Sequence, residues 1–278
     1  MKRRISLTID SELLKQADKF IDNLNFESRS DFVENCIRTY LQNSNTAIIL
    51  AGGNPEKLKI NNKFKFLIQI KEGKTLLDFL FDKLTGFGKV FIVGQREVIK
   101  SCFEKLSDKY KNTEIEYIEE KKELGNAKTL ELVKNRLPQN FLILPIDQYY
   151  EFDFLDLMRK HDLNHTLYKT IVTLTVAPIR TIGRFGEVSM VGLRIVKHEE
   201  GKRDVKNLIS TFAAACNKQI FNYIPKGEIR WELQRDVYPK LIKQDNMCGY
   251  LLNTPIFNIH SNHDIQRLKR YLKNRDFQ

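Results

Sequence analysis

The chain has 278 residues, 42% of them hydrophobic, enough for a full α/β domain with a small appendage. No run approaches the ~20 apolar residues of a membrane span, the N-terminus is too polar for a signal peptide, and the four cysteines (Cys36, Cys102, Cys216, Cys248) form no C-x-x-C pair, so a cytoplasmic protein with reduced thiols is expected rather than a disulfide framework or a zinc site. The net charge of +11 suits a polyanionic partner, yet residues 1–45 hold seven bases and seven acids, so the excess lies wholly beyond them, including Arg267, Lys269, Arg270, Lys273 and Arg275.

The first predicted element is a strand over Arg4–Asp10, where Ile5, Leu7 and Ile9 alternate with Arg4, Ser6 and Thr8. Asp10 or Ser11 can cap a helix whose stripe is Leu13, Leu14, Ala17, Phe20, Ile21 and Leu24. Ser28-Arg29-Ser30-Asp31 offers a second cap, followed by the stripe Phe32, Val33, Cys36, Ile37, Tyr40 and Leu41. A unit of ~45 residues with this much apolar surface cannot bury it alone and calls for a second copy.

This strand-helix-helix order over residues 3–42 resembles the ribbon–helix–helix repressors of the MetJ/Arc type. The resemblance implies a dimer whose paired strands enter the major groove of double-stranded DNA. Arg4, Ser6 and Thr8 would then face base edges, and Ser28, Arg29 and Ser30 would hold a backbone phosphate at the start of the second helix. A dimerisation module that touches no nucleic acid is the alternative. The N-terminal domain is placed at residues 1–43 and a larger domain at 46–278.

After the polar stretch Gln42–Asn45, strands and helices alternate. Strands are predicted at Thr46–Leu50, Lys89–Val93, Glu114–Ile118, Phe141–Pro145 and Lys169–Val176, with strand-rich sequence at Glu187–Val196. Helices are predicted at Thr75–Leu84, Glu97–Leu106, Asn126–Asn135 and Phe154–His161, with a helix-like run at Val237–Ile242. The order predicts an α/β fold, a mostly parallel twisted sheet with helices on both faces, and a ligand at the carboxyl ends of the strands.

Several short segments resemble the sugar-phosphate nucleotidyltransferases, a likeness that runs across most of residues 46–270. Leu50-Ala51-Gly52-Gly53-Asn54-Pro55-Glu56-Lys57-Leu58 stands where that family has L-A-G-G-x-G-T-R-L, and Phe64-Lys65-Phe66-Leu67 where it has P-K-P-L. Gly73-Lys74-Thr75-Leu76-Leu77, Gly125-Asn126-Ala127, Leu144-Pro145-Ile146-Asp147, Arg184-Phe185-Gly186 and Glu200-Gly201-Lys202 match further steps. The resemblance implies a Rossmann-like domain that joins a nucleoside triphosphate to a sugar 1-phosphate, or binds a nucleotide sugar. Ala51, Gly52, Gly53, Lys57, Gly125 and Asn126 would contact the nucleotide, Lys57 and Lys65 would offset charge at the phosphates, and Asp147 and Asn258 would hold Mg²⁺.

The chain departs from the family pattern at one cleft. Pro55 replaces the third loop glycine and brings no N–H, Lys57 replaces an arginine, Glu56 adds a negative charge, and Asn258 stands where a second aspartate is expected. Phe212 replaces a glycine beside the sugar pocket. Two outcomes therefore stay open: a DNA-binding regulator with a degenerate enzyme domain, or an active Mg²⁺-dependent transferase. His161 and His165 are expected at the surface, and Tyr149, Tyr150 and Trp231 in packing roles.

Overall fold

In the computed structural model, which describes residues 5–22, 26–43, 45–107, 109–110, 113–178, 185–202 and 208–275, the central strand β1 (Thr46–Ala51) is buried along its whole length. Ala47, Ile49 and Ala51 enter one apolar core, and Ile48 and Leu50 enter a second on the other face. A two-sided strand of this kind must be covered by helices above and below. Helices α3 (Leu76–Lys83), α4 (Arg96–Leu106) and α6 (Phe154–Tyr168) fill the first face, through residues such as Leu77, Val98 and Leu157. Helices α5 (Asn126–Glu131) and α7 (Tyr238–Lys243) fill the second, through Leu130 and Leu241.

β1 pairs in parallel with β2 (Lys89–Gly94) and β4 (Asn140–Pro145), and β2 pairs in parallel with β3 (Glu114–Glu119). On the far side of β4 the sheet changes character. A short strand β5 (Gln148–Tyr149) leaves it, and β6 (Val172–Pro178), β7 (Phe185–Val191), β8 (Arg194–Lys202), β9 (Leu208–Asn217) and β10 (Met247–Leu251) complete nine strands in the order β6-β10-β8-β7-β9-β4-β1-β2-β3. β9 runs antiparallel to β4 and also pairs with β6. The sheet is thus mixed, where the sequence predicted a mostly parallel one. The cause is the β7–β8 hairpin, turned at Gly192 with φ 57°, which supplies antiparallel partners that helix-strand alternation does not reveal.

A third apolar cluster joins β11 (Phe257–Asn258), paired with β5, to α8 (Asn262–Arg275) through Tyr149, Phe257, Ile259, Ile265 and Leu268. Predicted element boundaries shift in three places. α5 stops at Glu131 and a 3₁₀ turn at Lys134–Arg136 follows. α6 continues past His161 to Tyr168, ending where Lys169 adopts a left-handed φ of 58°. The strand expected from Lys169 starts at Val172.

The longer α6 changes the reading of its histidines. His161, expected at the surface, is fully buried and its Nδ1 lies 2.9 Å from Thr173 Oγ1. Burial pushes His161 down to about 3, with the neighbouring His165 adding to the shift, and burial alone pushes His198 down to about 4, from an ordinary 6.5. Both folded values lie below the unfolded one, so the unfolded chain takes up protons first. Stability from these rings is complete above pH 6.5 and is lost as pH falls towards 4 and 3. Urea unfolding should weaken with a limiting slope of about 1.4 kcal/mol per pH unit for each ring below that point. Equal stability at pH 7 and pH 5 would show that neither ring is held neutral.

Phe212 is a backbone exception, with φ 72° at a register shift where β9 opposes Leu174 and Val176 of β6. A bulky residue in this region is strained, because Cβ crowds the carbonyl oxygen. Phe212→Gly and Phe212→Ala both lose the ring, so their difference isolates the backbone. The glycine variant should be more stable by about 1 kcal/mol, the reverse of the usual order in a strand, when urea midpoints are compared.

The N-terminal segment forms α1 (Ser11–Asp18), capped by Asp10, and α2 (Arg29–Asn43), preceded by Ser28, whose Oγ accepts from Asp31 N. Phe32 stacks on Phe20 and meets Phe26 edge-on. The strand expected over Arg4–Asp10 is not formed by the single chain across residues 5–10, and Arg4 lies outside the described residues. A strand needs a partner for its amides and carbonyls, and Ile5 and Leu7 stand 68% and 55% exposed. Ser6, Thr8 and Ser30 are also exposed, whereas Arg29 forks onto Asp18 at 2.6 and 2.7 Å.

Candidate functional site

β1 delivers the chain to Gly52 and Gly53, and the backbone turns at Gly53 with φ 82°. Asn54 then caps a 3₁₀ turn, Pro55–Leu58, its side chain accepting from Glu56 N at 2.9 Å. Pro55 fits this first turn because its missing N–H has no role there. Glu56 carries no uncompensated charge, since Lys59 Nζ lies 2.6 Å from its Oε1. Lys57 is exposed.

The glycine turn is closed by a residue that sequence reasoning missed. Glu120, 3% exposed, follows β3, and its Oε2 accepts from Gly53 N at 2.6 Å while its Oε1 accepts from Thr129 Oγ1. A Cβ on Gly52 would sit 2.6 Å from that carboxylate, so glycine is required by a side chain already in place. The only sequence signal was an acidic residue just past a strand that ends at the ligand-binding edge. One amide expected to meet a nucleotide is therefore held by the chain's own carboxylate.

Gly125, with φ 91°, precedes α5, and a Cβ there would come within 2.5 Å of Trp231 O. Asn126 is committed to the 231–234 loop: its Nδ2 donates to Gln234 Oε1 at 2.9 Å and its Oδ1 accepts from Leu233 N at 2.7 Å. The side chain expected at the nucleotide thus fastens a loop in this structure, and Trp231 hydrogen-bonds Tyr223 O through its indole N–H.

At the end of β4, Asp147 meets Lys65 at 3.2 Å. Lys65 is 5% exposed at its side chain and Asp147 16%, which makes this a nearly dry ion pair open to the cleft through its carboxylate. Asp147 O accepts from Ile259 N at 3.0 Å, and Gln148 is the register partner of Asn258, so β5 and β11 bring Asp147 and Asn258 to the same edge. The Asn258 Oδ1 and Gln148 Oε1 atoms are buried without a hydrogen-bond partner. Such acceptors want a cation or a donor. Among the described residues no three acidic, histidine or cysteine side chains gather as a metal cage. The donor set suits Mg²⁺ held by one carboxylate, amide oxygens and the phosphates of a ligand. Tyr149 and Tyr150 are packed in the core, as expected.

Residues 46–271 match the model of the family described as Nucleotidyl transferase. The chain belongs to that family. Solved structures of similar fold include one from Bacillus anthracis, provisionally assigned as a glucose-1-phosphate thymidylyltransferase and bound to sucrose, with 18% identity, a TM-score of 0.70, and coverage of 82% of this chain and 95% of that one. HddC from Yersinia pseudotuberculosis, complexed with GMP-PN, shows 16% identity, a TM-score of 0.64, and coverage of 82% and 99%. The inositol-1-phosphate CTP transferase from T. maritima shows 20% identity, a TM-score of 0.64, and coverage of 82% and 96%. No curated protein matches the sequence. No helix among the described residues of this nucleotidyl transferase family member is long and apolar enough to cross a membrane.

Proposed function

We propose that residues 46–278 bind a nucleoside triphosphate and a phosphorylated sugar or polyol, and join them with release of pyrophosphate. The observation that carries this reading is the Lys65–Asp147 pair, set beside Asn258 just past the end of β4, next to the end of β1, which leads into the Gly52–Gly53 turn. An acceptor phosphate oxygen attacks the α-phosphorus, and the bond from that phosphorus to the oxygen bridging to the β-phosphate breaks. Lys65 offsets charge at the phosphates, and the glycine turn lets the ligand approach the backbone. Asp147, with Asn258, would hold Mg²⁺, which when bound supplies further positive charge across the phosphate oxygens. Similar-fold proteins are a thymidylyltransferase assignment, a GMP-PN complex and a CTP transferase, which supports a nucleotide ligand without fixing its base.

Full-length protein with MgCl₂ should release pyrophosphate from one of the common nucleoside triphosphates when hexose 1-phosphates or inositol 1-phosphate are supplied as acceptors. Turnover no greater than that of Asp147→Ala across the whole panel would end the transferase reading and leave a binding domain.

A second activity is favoured by the uncovered apolar face of the N-terminal segment, where Leu13, Phe20 and Ile37 are 58%, 58% and 46% exposed alongside Ile5 and Leu7. Two copies would cover this face and pair their strands, which would set Arg4, Ser6 and Thr8 towards base edges of duplex DNA. Footprinting should find a palindromic site, and Arg4→Ala should weaken it by about 1–3 kcal/mol. Equal binding to random duplex at moderate salt would remove the regulatory role.

A further inference from the structure

Beyond Asn258 the cleft does not end. A small, partly open cavity of about 90 Å³ is walled in part by Gln148, Thr254, Asn258 and Arg267. An open depression of about 500 Å³ follows, lined by Phe257, His263, Arg267, Arg270 and Asn274. Phe257 and Arg267 belong to both, so the two hollows adjoin where the β5–β11 edge meets α8. His263, Arg267, Arg270 and Asn274 follow one another at intervals of four, three and four residues, which places them on one stripe of that helix.

The chemistry changes from one hollow to the other. Three residues that wall the inner part, Gln148, Thr254 and Asn258, each hold a buried side-chain oxygen without a partner among the described residues: Oε1, Oγ1 and Oδ1. Oxygens of this kind accept from hydroxyl groups, and leaving them unmet costs free energy. The outer part offers two guanidinium groups without a carboxylate partner among the described residues. Arg267 lies over the Phe257 ring at 5.9 Å, and Arg270 donates only to Gln266 O, at 3.4 Å. Elsewhere the pattern differs: Arg136, Arg159, Arg194 and Arg275 each meet a carboxylate. Two unpaired forks beside an acceptor-lined cavity fit an oxyanion that follows a hydroxylated body.

We propose that the acceptor carries a second anionic group, a phosphate or a carboxylate, which Arg267 and Arg270 hold at the end remote from the reacting phosphate. Its hydroxyls meet Gln148 and Thr254, while Asn258 is left to the Mg²⁺ site. The inference rests on the acceptor site proposed above, but its test reads binding and needs no turnover.

Calorimetric titration of the full-length protein at fixed ionic strength would compare the 1-phosphates of glucose and mannose with their 1,6-bisphosphates, and with glucuronic acid 1-phosphate. A bisphosphate should bind at least tenfold more tightly than its monophosphate. A gain confined to the bisphosphate identifies a phosphate, and an equal gain for the uronic acid identifies a carboxylate. Arg267→Met keeps the stem over Phe257 and should bring the ratio within twofold of one, while Arg267→Lys should leave an intermediate ratio. Circular dichroism confirms that each variant is folded, and Arg270→Gln gives a second reading if one is not. Equal affinities in the unaltered protein, no binding of any of these sugars, or a ratio that survives both arginine substitutions would overturn the proposal. Loss of pyrophosphate release with the ratio intact would sink the transfer reaction alone.

Discussion

Asp147→Asn should cost about 3–5 kcal/mol in chemical unfolding and lower any pyrophosphate-releasing turnover by a factor of about 10² or more. The reverse removal, Lys65→Met, should cost less stability, about 2–3 kcal/mol. The asymmetry follows from burial. With Asp147 gone, an ammonium 5% exposed is left in a nearly dry site, whereas removal of Lys65 leaves a carboxylate that is 16% exposed and can be met by water. The double substitution should cost less than the sum of the two, because neither charge then stands alone. Equal costs for the single variants, or strict additivity in the cycle, would mean that the pair contributes little to the fold and that Lys65 is held by its packing.

The second large effect is expected at Gly52→Ala. Its added methyl meets the Glu120 carboxyl at 2.6 to 2.9 Å, and that carboxyl is pinned by Gly53 N and Thr129 Oγ1. Displacing a buried, doubly held carboxylate should cost about 2–3 kcal/mol and loosen the Gly52–Gly53 turn. Glu120→Ala introduced into the same chain should recover more than half of the loss, since the space then exists. Failure of that rescue would show that Gly52 is needed for backbone reasons, independent of Glu120. Nucleotide affinity of Glu120→Gln, read by calorimetry, reports whether the carboxylate competes with a ligand for the Gly53 amide.

The parallel half of the sheet was legible in the sequence because three of its four strands are short buried runs, such as Ala47-Ile48-Ile49-Leu50 or Phe141-Leu142-Ile143-Leu144, while β3 alternates polar with apolar residues. The antiparallel half was not, because its ladder is set by distant pairings, such as β9 with both β4 and β6, that leave no local mark. Lys65 and Asp147 were legible separately as matched motif positions, but they stand 82 positions apart and no pattern in the chain announces their contact. Glu120 drew no reading from the sequence, because a lone glutamate after a strand is ordinarily solvated and nothing local marks this one as buried. Asn126, matched through the family motif to a nucleotide contact, uses its side chain here to hold Leu233 and Gln234, a pairing that no local pattern announces.

The way β6 returns to β9 has a consequence for how copies of this chain can meet. β6, β10, β8, β7 and β9 close on themselves, so among the described residues the nine-stranded sheet has one free margin, β3. That margin reads Glu114-Ile115-Glu116-Tyr117-Ile118-Glu119, three carboxylates in six residues. Glu114 and Glu116 are already engaged by Lys89, and Glu116 also by Arg136, so a strand added at this margin would meet a row of charged, ion-paired side chains, which disfavours open-ended growth. The main sheet of this chain thus discourages fibre-like pairing between copies.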